Sequence, residues 1–580
     1  MIKKNFIFNK SEGLFKKKLL IIFIFFCFYV PSFGQNNISL FSSDNSQSTR
    51  NLTKVLQSEL NLSLGFTPKI INSNNTSGNL IILGLKNTNI KEVNYDGLGE
   101  DGFVIKTVKP NQLIISSNSV TGLEFAIYYF LEKELGVKWL MPSSKWTYRP
   151  SVLNYKFSNI NVIKKPDFIT RRMAPINTNE NNEIGIWGKH LGLRQDIEYN
   201  HSLYKIFGNT QDFAPKVNGK RKLAKSKTDQ TWQPNFKASG IENYSSTFLI
   251  NYFEKNPSVK TFSLGINDSR IFDDGNNSGR KNHFGLKDYS EPYYQWVKKT
   301  VEITNKKFPN KKYGLLAYNN VASPPSFSLP DNVVPFITYE RLRWVDPKLK
   351  ALDLQLLNTW KQRVKEIGWY DYTYGASYIV PRPYFATMSN YLNTANSNNV
   401  KHYTTELYPN ILEGPKPWIL SKLLWDVDLN PDQLLLEWCN AAVGEDSSPC
   451  LKEFYDLWNI FWTKDVVNSS WWNLQGTAYL QFNNTSYINL IPVGYMEKSD
   501  QLLKLALDRT KNNAQKSRMN EIMEIWELAK MNYVYFTKNS LKGLSKSSVT
   551  KSLIFQKMNS LSQNPLNEKY VNLLKQYNKY

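Results

Sequence analysis

The sequence has few of the side chains that bind metals or carry redox chemistry. Among its 580 residues are three cysteines and four histidines. No HxH, HExxH, HxxE or CxxC spacing occurs, and zinc sites are recognised by spacings of this kind. We therefore expect neither a metal site nor a cofactor. Cys439 and Cys450 leave two alternatives open, a disulfide that closes a short loop or two buried thiols.

Long apolar runs are almost absent, and the one that stands out is LLIIFIFFCFYV at residues 19–30. It is shorter than the roughly 20 residues that a membrane-spanning helix needs. A lysine-rich stretch precedes it, and small residues follow around Ser32–Gly34. This pattern predicts an export signal over residues 1–34. The mature protein is then expected in the periplasm, at the cell surface or outside the cell, without a transmembrane segment. Cys27 lies between two phenylalanines, which does not suit lipid attachment.

Acidic residues are the minority among the charged ones. The chain has 49 of them against 72 lysines and arginines, which gives a formal net charge of +23. A field of this sign attracts anionic glycans, nucleic acids or a negatively charged surface. The lysines are scattered, and the densest group, at residues 216–227, comes with no nucleic-acid-binding motif. We therefore expect no nucleic-acid partner and interpret the group as a solvated basic surface.

Three segments follow the predicted signal. Residues 35–155 carry strand patterns and one clear helix, in which Thr121 and Glu124 have capping-box spacing and Gly136 marks the end. They predict a small α/β domain. Residues 156–440 alternate apolar strand-like runs with amphipathic helices, which predicts parallel strands. In residues 441–580 the strand signals fade, and we predict a helical C-terminal region.

The alternating segment predicts an α/β fold with a (β/α)8-type barrel. Polar residues stand where several of its apolar runs end, namely Asn267 and Asp268 after 259–266, Tyr318 and Asn319 after 313–316, Glu340 after 333–339, and Glu406 after 400–405. Barrel enzymes carry their active sites at the carboxyl ends of the strands. The interval 320–332 holds three prolines and is too short for a crossover helix. We therefore expect an irregular or incomplete barrel.

Several stretches resemble known glycosidase-related proteins. They are DGFVIKTV (101–108), NQLIISS (111–117), TGLEFAIYYFLEKELGVKWLMP (121–142), PDFITRR (166–172), IWGKHLGL (186–193), HSLYKIF (201–207), NPSVKTFSLGINDS (256–269) and GPKPWILSKLLWDVDLNPDQLLLEWCNAAVG (414–444). The first three resemble the domain that precedes the barrel in several glycosidases. The others are similar to bacterial proteins of domain of unknown function 4838 (DUF4838), the group that contains glycoside hydrolase family 163.

The resemblance covers about residues 100–445 and implies an activity like that of family 163, which is endo-β-N-acetylglucosaminidase action on N-glycans. The chain departs from the group in one respect. Members often have a cysteine cluster soon after the Asn-Asp pair, whereas residues 269–285 contain no cysteine. This difference weakens the transfer of substrate specificity more than that of the fold.

Two carboxyl groups normally carry glycoside hydrolysis, one that protonates the leaving oxygen and one that stabilises or attacks the sugar. Asp268 and Glu406 are the best-placed candidates for catalysis. Each has a structural alternative, a loop or helix cap for Asp268 and a buried partner of an arginine such as Arg382 for Glu406. If the substrate has a 2-acetamido group, that group can itself attack. Asn267 and Asp268 could then divide amide orientation and proton donation.

Aromatic rings and further polar groups are candidates for substrate binding. Aromatic faces stack on sugars, and phenols bind hydroxyl groups, which singles out Tyr318, Asn319, Tyr370, Tyr372 and Tyr374. On a regular strand either the three tyrosines at 370–374 or Trp369 and Asp371 face the barrel interior. We predict that the tyrosines do.

Four more residues complete the predicted site. Glu340 either holds a sugar hydroxyl or pairs with Arg341 or Arg343, which follow it closely. The remaining three lie in stretches that carry the resemblance, which implies a contribution to sugar binding, and they are Arg172, Trp187 and His201.

Together these patterns predict an exported glycoside hydrolase whose partner is an oligosaccharide or polysaccharide containing N-acetylhexosamine. Two alternatives stay open. Similar N-terminal domains precede the barrels of α-glucuronidases, and the basic charge of the chain suits a uronic acid. The chain could also be a non-catalytic glycan-binding protein on a glycosidase fold.

Overall fold

A computed structural model describes residues 38–44, 46–76, 78–86, 93–152, 155–375, 377–472, 478–480, 483–578 and 580. The predicted export signal, residues 1–34, lies outside this part of the chain. Within it, no helix is both long and apolar enough to cross a membrane.

The first structural unit is a six-stranded sheet with two helices packed on it. Its elements are β1 (Ile38–Ser42), α1 (Gln47–Leu64), β2 (Lys69–Ile71), β3 (Asn79–Leu85), β4 (Phe103–Lys109), β5 (Gln112–Ser117), α2 (Val120–Leu135), β6 (Lys138–Trp139), β7 (Thr147–Tyr148) and β8 (Asn161–Lys164). The strand order is β2-β1-β3-β5-β4-β8, and β4 alone is antiparallel to its neighbours. Because β8 belongs to the sheet, the unit continues beyond the predicted boundary at residue 155.

Helix α2 begins slightly earlier than the capping-box spacing predicted. The hydroxyl of Ser119, not that of Thr121, caps it by accepting the backbone N–H of Gly122 at 3.0 Å. Gly136 ends the helix in the left-handed conformation, at φ 69°, as predicted.

The second unit contains a six-stranded parallel sheet surrounded by helices. Its elements are β9 (Thr170–Ala174), α3 (Glu183–His190), α4 (Leu203–Phe207), β10 (Lys216–Val217), β11 (Lys220–Arg221), α5 (Ile241–Lys255), β12 (Thr261–Ser263), α6 (Ser290–Asn305), β13 (Lys312–Ala317), β14 (Val333–Thr338), α7 (Pro347–Lys361), β15 (Ile367–Tyr372), α8 (Phe385–Ser397), β16 (Val400–Glu406) and α9 (Pro415–Trp425). The order of the parallel strands is β12-β13-β14-β15-β16-β9. The described residues thus form a half-barrel of six strands, where eight were predicted.

An irregular segment, residues 194–202, lies between the two edge strands β9 and β12. Arg194 bridges to Arg171 of β9, and His201 bridges to Gly265 just beyond β12. Between these bridges, Ile197 and Tyr199 join the apolar interior of the half-barrel. The segment therefore occupies the place where the sequence predicted further regular structure. The irregularity predicted for the interval 320–332 is confirmed, since a single 3₁₀ turn, Asn319–Val321, stands in place of a helix between β13 and β14.

Two glycines allow the irregular segment to approach the sheet. A Cβ at Gly314 would lie 2.2 Å from the carbonyl oxygen of Glu198, and a Cβ at Gly265 would lie 2.6 Å from that of Tyr199. Both distances are far below van der Waals contact, so only glycine fits at these positions.

The C-terminal region is helical, as predicted. It consists of α10 (Pro431–Val443), α11 (Ser448–Ile460), α12 (Val493–Asp508), α13 (Asn513–Phe536), α14 (Lys551–Leu561) and α15 (Pro565–Tyr577). Cys439 and Cys450 are buried free thiols, which decides between the two alternatives left open by the sequence.

A buried cluster of charges joins the first unit to the half-barrel. Asp101 pairs with Arg171 of β9 at 2.9 Å and with Arg194 of the irregular segment at 2.6 Å. The Arg171 side chain is fully buried and also donates to the carbonyl oxygens of Gly192 and Phe168. One carboxylate of the N-terminal unit thus pairs with two arginines at the β9 edge of the half-barrel, where the irregular segment begins.

Replacement of Asp101 by asparagine should lower the free energy of unfolding by about 3 kcal/mol, because the buried Arg171 guanidinium loses its counter-charge. Glu254→Gln is the matched control, since Glu254 and its partner Lys307 are both about half exposed. That change should cost less than about 1 kcal/mol. Urea unfolding followed by circular dichroism measures both, and equal losses would contradict this account of the cluster.

Candidate active site

The carboxyl ends of the parallel strands carry most of the polar residues singled out in the sequence. Asp268 follows β12 by five residues, Tyr318 and Asn319 follow β13 directly, and Glu406 is the last residue of β16. Because the six strands are parallel, their carboxyl ends lie together at one end of the sheet. This end of the half-barrel is the candidate site.

Asn267 and Asp268 are sequence neighbours in different surroundings. Asn267 is 1% exposed; its amide donates to the carbonyl oxygen of Trp232 and accepts from the backbone N–H of Tyr204, both at 2.9 Å. Its backbone N–H donates to the side chain of Gln233. The Asn267 amide therefore ties together the loops around β12, which corrects its predicted role in substrate binding.

Asp268 lies beside His201 at the mouth of the site. Its carboxylate is 67% exposed, and Oδ1 is 3.9 Å from Nε2 of His201. Nδ1 of His201 is bonded to the carbonyl oxygen of Ile266. Because a carbonyl only accepts, Nδ1 is the donor, and Nε2 is the nitrogen that can gain or lose a proton. The structure thus places two of the predicted residues, Asp268 and His201, next to each other.

Glu406 is partly buried and held by two phenols. Tyr370 donates to Oε1 at 2.7 Å, and Tyr408 donates to Oε2 at 3.3 Å. Among the described residues no cationic side chain pairs with Glu406, and Arg382, its predicted structural partner, pairs with Glu340 instead. The negative charge of Glu406 is therefore oriented by neutral donors and not neutralised by a protein cation.

Three tyrosines at the end of β15 stand on the interior face of the half-barrel sheet. Tyr370, Tyr372 and Tyr374 follow one another with ring centroids 5.4 Å apart at each step. Trp369 and Asp371 are buried on the opposite face, against the surrounding helices. The prediction that the tyrosines face the interior is confirmed.

The phenols around Glu406 are strongly desolvated. Burial raises the pKa of Tyr370, Tyr372 and Tyr374 well above the ordinary value, and the charge of Glu406 raises each of them further. These tyrosines therefore remain neutral hydrogen-bond donors at any pH at which the protein is folded and active.

The charges of both candidate carboxylates affect the pKa of Tyr479, a residue of the C-terminal region. Burial makes the largest contribution to the rise in its pKa, the cation of Arg270 opposes it, and the charges of Asp268 and Glu406 each raise it further. Its ring centroid lies 5.0 Å from that of Tyr372. Asp268 and Glu406 therefore both act electrostatically on Tyr479, and the region at the strand ends that holds these three residues is the candidate cleft.

Glu340 does not face the cleft, although it follows β14. Its carboxylate is fully buried between the guanidinium of Arg382 and the backbone N–H of Leu480, which donates to Oε2 at 2.7 Å. The ion-pair alternative is confirmed, but with Arg382 and not with Arg341 or Arg343. The predicted contact with a sugar hydroxyl is corrected, because both oxygens have partners within the protein.

Three further predicted residues have separate positions. Trp187 is 2% exposed, and its indole donates to the carbonyl oxygen of Trp139 in the first unit, so it does not reach the cleft. Arg172 donates to the hydroxyl of Tyr199 at 2.9 Å inside the half-barrel. Asn319 is 6% exposed and has its amide oxygen 3.5 Å from the guanidinium of Arg270.

Sequence reasoning missed Tyr408, Tyr479 and Arg270. Tyr408 stands two residues after Glu406, and Arg270 stands two residues after Asp268. Both could have been predicted from the sequence by including the loop residues that follow each strand end. Nothing in the sequence around Tyr479 connects it with the barrel. Among the described residues no group of three His, Cys, Asp or Glu side chains is close enough to hold a metal ion.

Comparison with known sequences gives one family. The profile of the family described as domain of unknown function (DUF4838) matches residues 141–456. No curated protein sequence matches the chain.

Solved structures with the same fold are carbohydrate-active proteins. A family GH115 4-O-methyl-α-glucuronidase with specificity for decorated arabinogalactans has a TM-score of 0.55 and 12% identity, over 94% of this chain and 78% of the other. A family GH138 enzyme that targets pectin rhamnogalacturonan II has a TM-score of 0.52 and 10% identity, over 93% and 91%. A GH89 protein from Clostridium perfringens, in complex with its substrate GlcNAc-α-1,4-galactose, has a TM-score of 0.50 and 10% identity, over 92% and 65%.

Substitution of Asn267 should lower the free energy of unfolding much more than substitution of its neighbour Asp268. Asn267→Ala should cost about 2 kcal/mol, because it leaves the buried carbonyl of Trp232 and the N–H of Tyr204 without partners. Asp268→Ala should change the free energy of unfolding by less than about 0.5 kcal/mol, because the carboxylate is exposed. Urea unfolding of the two variants tests this, and a large loss for Asp268→Ala would assign that residue a structural role.

Proposed function

This chain belongs to the DUF4838 family, and we propose that it is an exported glycoside hydrolase that cleaves a glycan containing N-acetylhexosamine. The observation that carries the proposal is the position of two carboxylates, Asp268 and Glu406, at the carboxyl ends of the parallel strands beside a row of tyrosines, one of which, Tyr370, donates to Glu406 at 2.7 Å. Two carboxyl groups that flank the scissile bond are the arrangement most glycoside hydrolases use. The likeness of the fold to glycoside hydrolases adds support by analogy.

Their surroundings suggest different roles for the two carboxyl groups. Asp268 is exposed and lies next to Nε2 of His201, so we assign proton donation to the leaving oxygen to this pair. Glu406 is held in one orientation by hydrogen bonds from Tyr370 and Tyr408. It is placed to stabilise the positive charge that develops on the sugar ring, or to attack it.

N-acetylhexosamine is proposed from the resemblance to glycoside hydrolase family 163. In a substrate-assisted reaction the acetamido carbonyl attacks, and the protein needs a group that orients the amide. The Asn267 amide is occupied, so we assign this role to the phenol of Tyr318, which lies between His201 and Tyr372. Burial raises the pKa of Tyr318 well above its ordinary value, so the phenol remains a donor.

A uronic acid is the second candidate substrate, because one cation stands at the cleft. Arg270 is exposed, lies 3.5 Å from Asn319 and acts electrostatically on Tyr479. A guanidinium in this place suits the carboxylate of a glucuronic acid residue. An activity of this kind would resemble that of the GH115 α-glucuronidase.

The function is tested by product release from N-glycans, aryl N-acetylglucosaminides and glucuronoxylan fragments. We expect the mature protein to cleave a substrate that contains N-acetylglucosamine. Release from glucuronoxylan alone would establish the second candidate. A folded protein that binds glycans and cleaves none of these substrates would contradict the proposal and indicate a glycan-binding protein.

The two carboxyl groups should be distinguished by the leaving group of the substrate. Asp268→Asn should lower kcat/KM on a natural glycan by about 10²-fold or more, because the leaving oxygen is no longer protonated. A dinitrophenyl glycoside of the same sugar needs no proton, so its cleavage should fall much less. Glu406→Gln should reduce cleavage of both substrates. Equal losses for the two substrates in Asp268→Asn would remove the assignment of Asp268 as the acid.

A further inference from the structure

The C-terminal region reaches the candidate cleft through three residues, Ala478–Leu480. They lie beyond the barrel in the chain but beside the end of β14 in space. The backbone N–H of Glu340 donates to the carbonyl oxygen of Ala478 at 2.7 Å, and the backbone N–H of Leu480 donates to Oε2 of Glu340 at 2.7 Å. One residue at the end of β14 therefore holds both flanks of Tyr479.

Glu340 is itself rigidly fixed. Its side chain is fully buried, and Oε1 pairs with Arg382, whose side chain is also fully buried. The guanidinium of Arg382 packs over the ring of Tyr378 at 4.5 Å. A buried carboxylate paired in this way has one orientation, because any other leaves two charges without partners. The position of the 478–480 segment is therefore set by the end of a barrel strand and not by the segment itself.

This attachment places the Tyr479 side chain in the cleft. Its ring centroid lies 5.0 Å from that of Tyr372 at an interplanar angle of 59°, and the residue is partly exposed. The charges of Asp268 and Glu406 both act on it. Aromatic rings at a sugar-binding cleft can stack on the apolar face of a sugar.

We infer that Tyr479 is a specificity-determining residue that stacks on a sugar beyond the scissile bond, and that Glu340 is a positioning residue that acts through it. This inference rests on the proposed function, because it deepens the description of the same cleft. It assigns to the C-terminal region a part of the substrate site.

The test compares a long ligand with a short one. An N-glycan glycopeptide reaches beyond the scissile bond, whereas N-acetylglucosamine does not. Their affinities are measured by calorimetry in the Glu406→Gln background, so that no substrate is consumed. Adding Tyr479→Ala should weaken binding of the glycopeptide by about tenfold and that of the monosaccharide by less than about threefold. Tyr479→Phe keeps the ring and should stay within about threefold for both ligands.

Glu340→Gln tests the positioning role by a double-mutant cycle. Alone it should weaken glycopeptide binding selectively, as Tyr479→Ala does; combined with Tyr479→Ala it should add no further selective loss, because the two act through one contact. Glu132→Gln is the matched control, since Glu132 is a buried partner of Lys422 far from the cleft. It should leave the ratio of the two affinities unchanged. Tyr244→Ala, on the outer helix α5, is the matched control for Tyr479→Ala and should also leave the ratio of the two affinities unchanged.

The outcomes separate this inference from the proposed function. Equal losses for the two ligands, or no loss, in Tyr479→Ala would overturn the stacking role. A further selective loss when Glu340→Gln is added to Tyr479→Ala would overturn the positioning role, and Tyr479→Ala remains decisive if Glu340→Gln fails to fold. Wild-type protein that binds the glycopeptide and cleaves no glycan would overturn the proposed function alone, because the affinities still decide the role of Tyr479. Failure of wild-type protein to bind the glycopeptide would overturn both.

Discussion

The edges of an incomplete parallel sheet leave backbone N–H and C=O groups that must be paired, and this requirement organises the protein. Strands β9 and β12 stand at the two open edges of the half-barrel, and residues 194–202 supply their partners. A regular strand is not needed for this purpose, because side chains also pair with backbone groups at the edge. The hydroxyl of Thr261 accepts from the N–H of Glu198, and that of Ser263 donates to the carbonyl of Asn200. The gap is closed by polar contacts at both edges and filled by apolar side chains at its centre.

The same segment builds one side of the active-site cleft. Tyr199 faces the interior, accepts from Arg172 and bonds to the hydroxyl of Thr404, two residues before Glu406. His201 ends the segment and stands next to Asp268. The geometry at the strand ends therefore depends on how the gap is closed. Asp101 pairs with Arg171 of β9 and with Arg194 at the start of the segment, so the N-terminal unit stabilises this closure at its β9 edge.

Much of this arrangement follows from local pattern in the sequence, and the rest depends on contacts between distant residues. The strand ends, the inward tyrosines and the missing helix before β14 were predictable, since period-two alternation and prolines act locally. The buried position of Asn267 was not, because its partners are distant in the sequence: the carbonyl of Trp232 lies in a loop, and the N–H of Tyr204 belongs to the first turn of the short helix α4. The choice of Arg382 over two nearer arginines by Glu340 was equally hidden, since burial and not sequence distance selects the partner of a buried charge.

The hydrogen bond between Leu480 and Glu340 shows that the part of the chain matched by the family profile is not a complete structural unit. The matched segment, 141–456, contains neither Leu480 nor Asp101, yet both bind charges buried within it. A protein cut to those limits would keep every strand of the half-barrel and the two candidate carboxylates, but Arg171 would lose its counter-charge and Glu340 the backbone donor on its Oε2. The boundary of recognisable sequence similarity is thus narrower than the boundary of physical self-sufficiency.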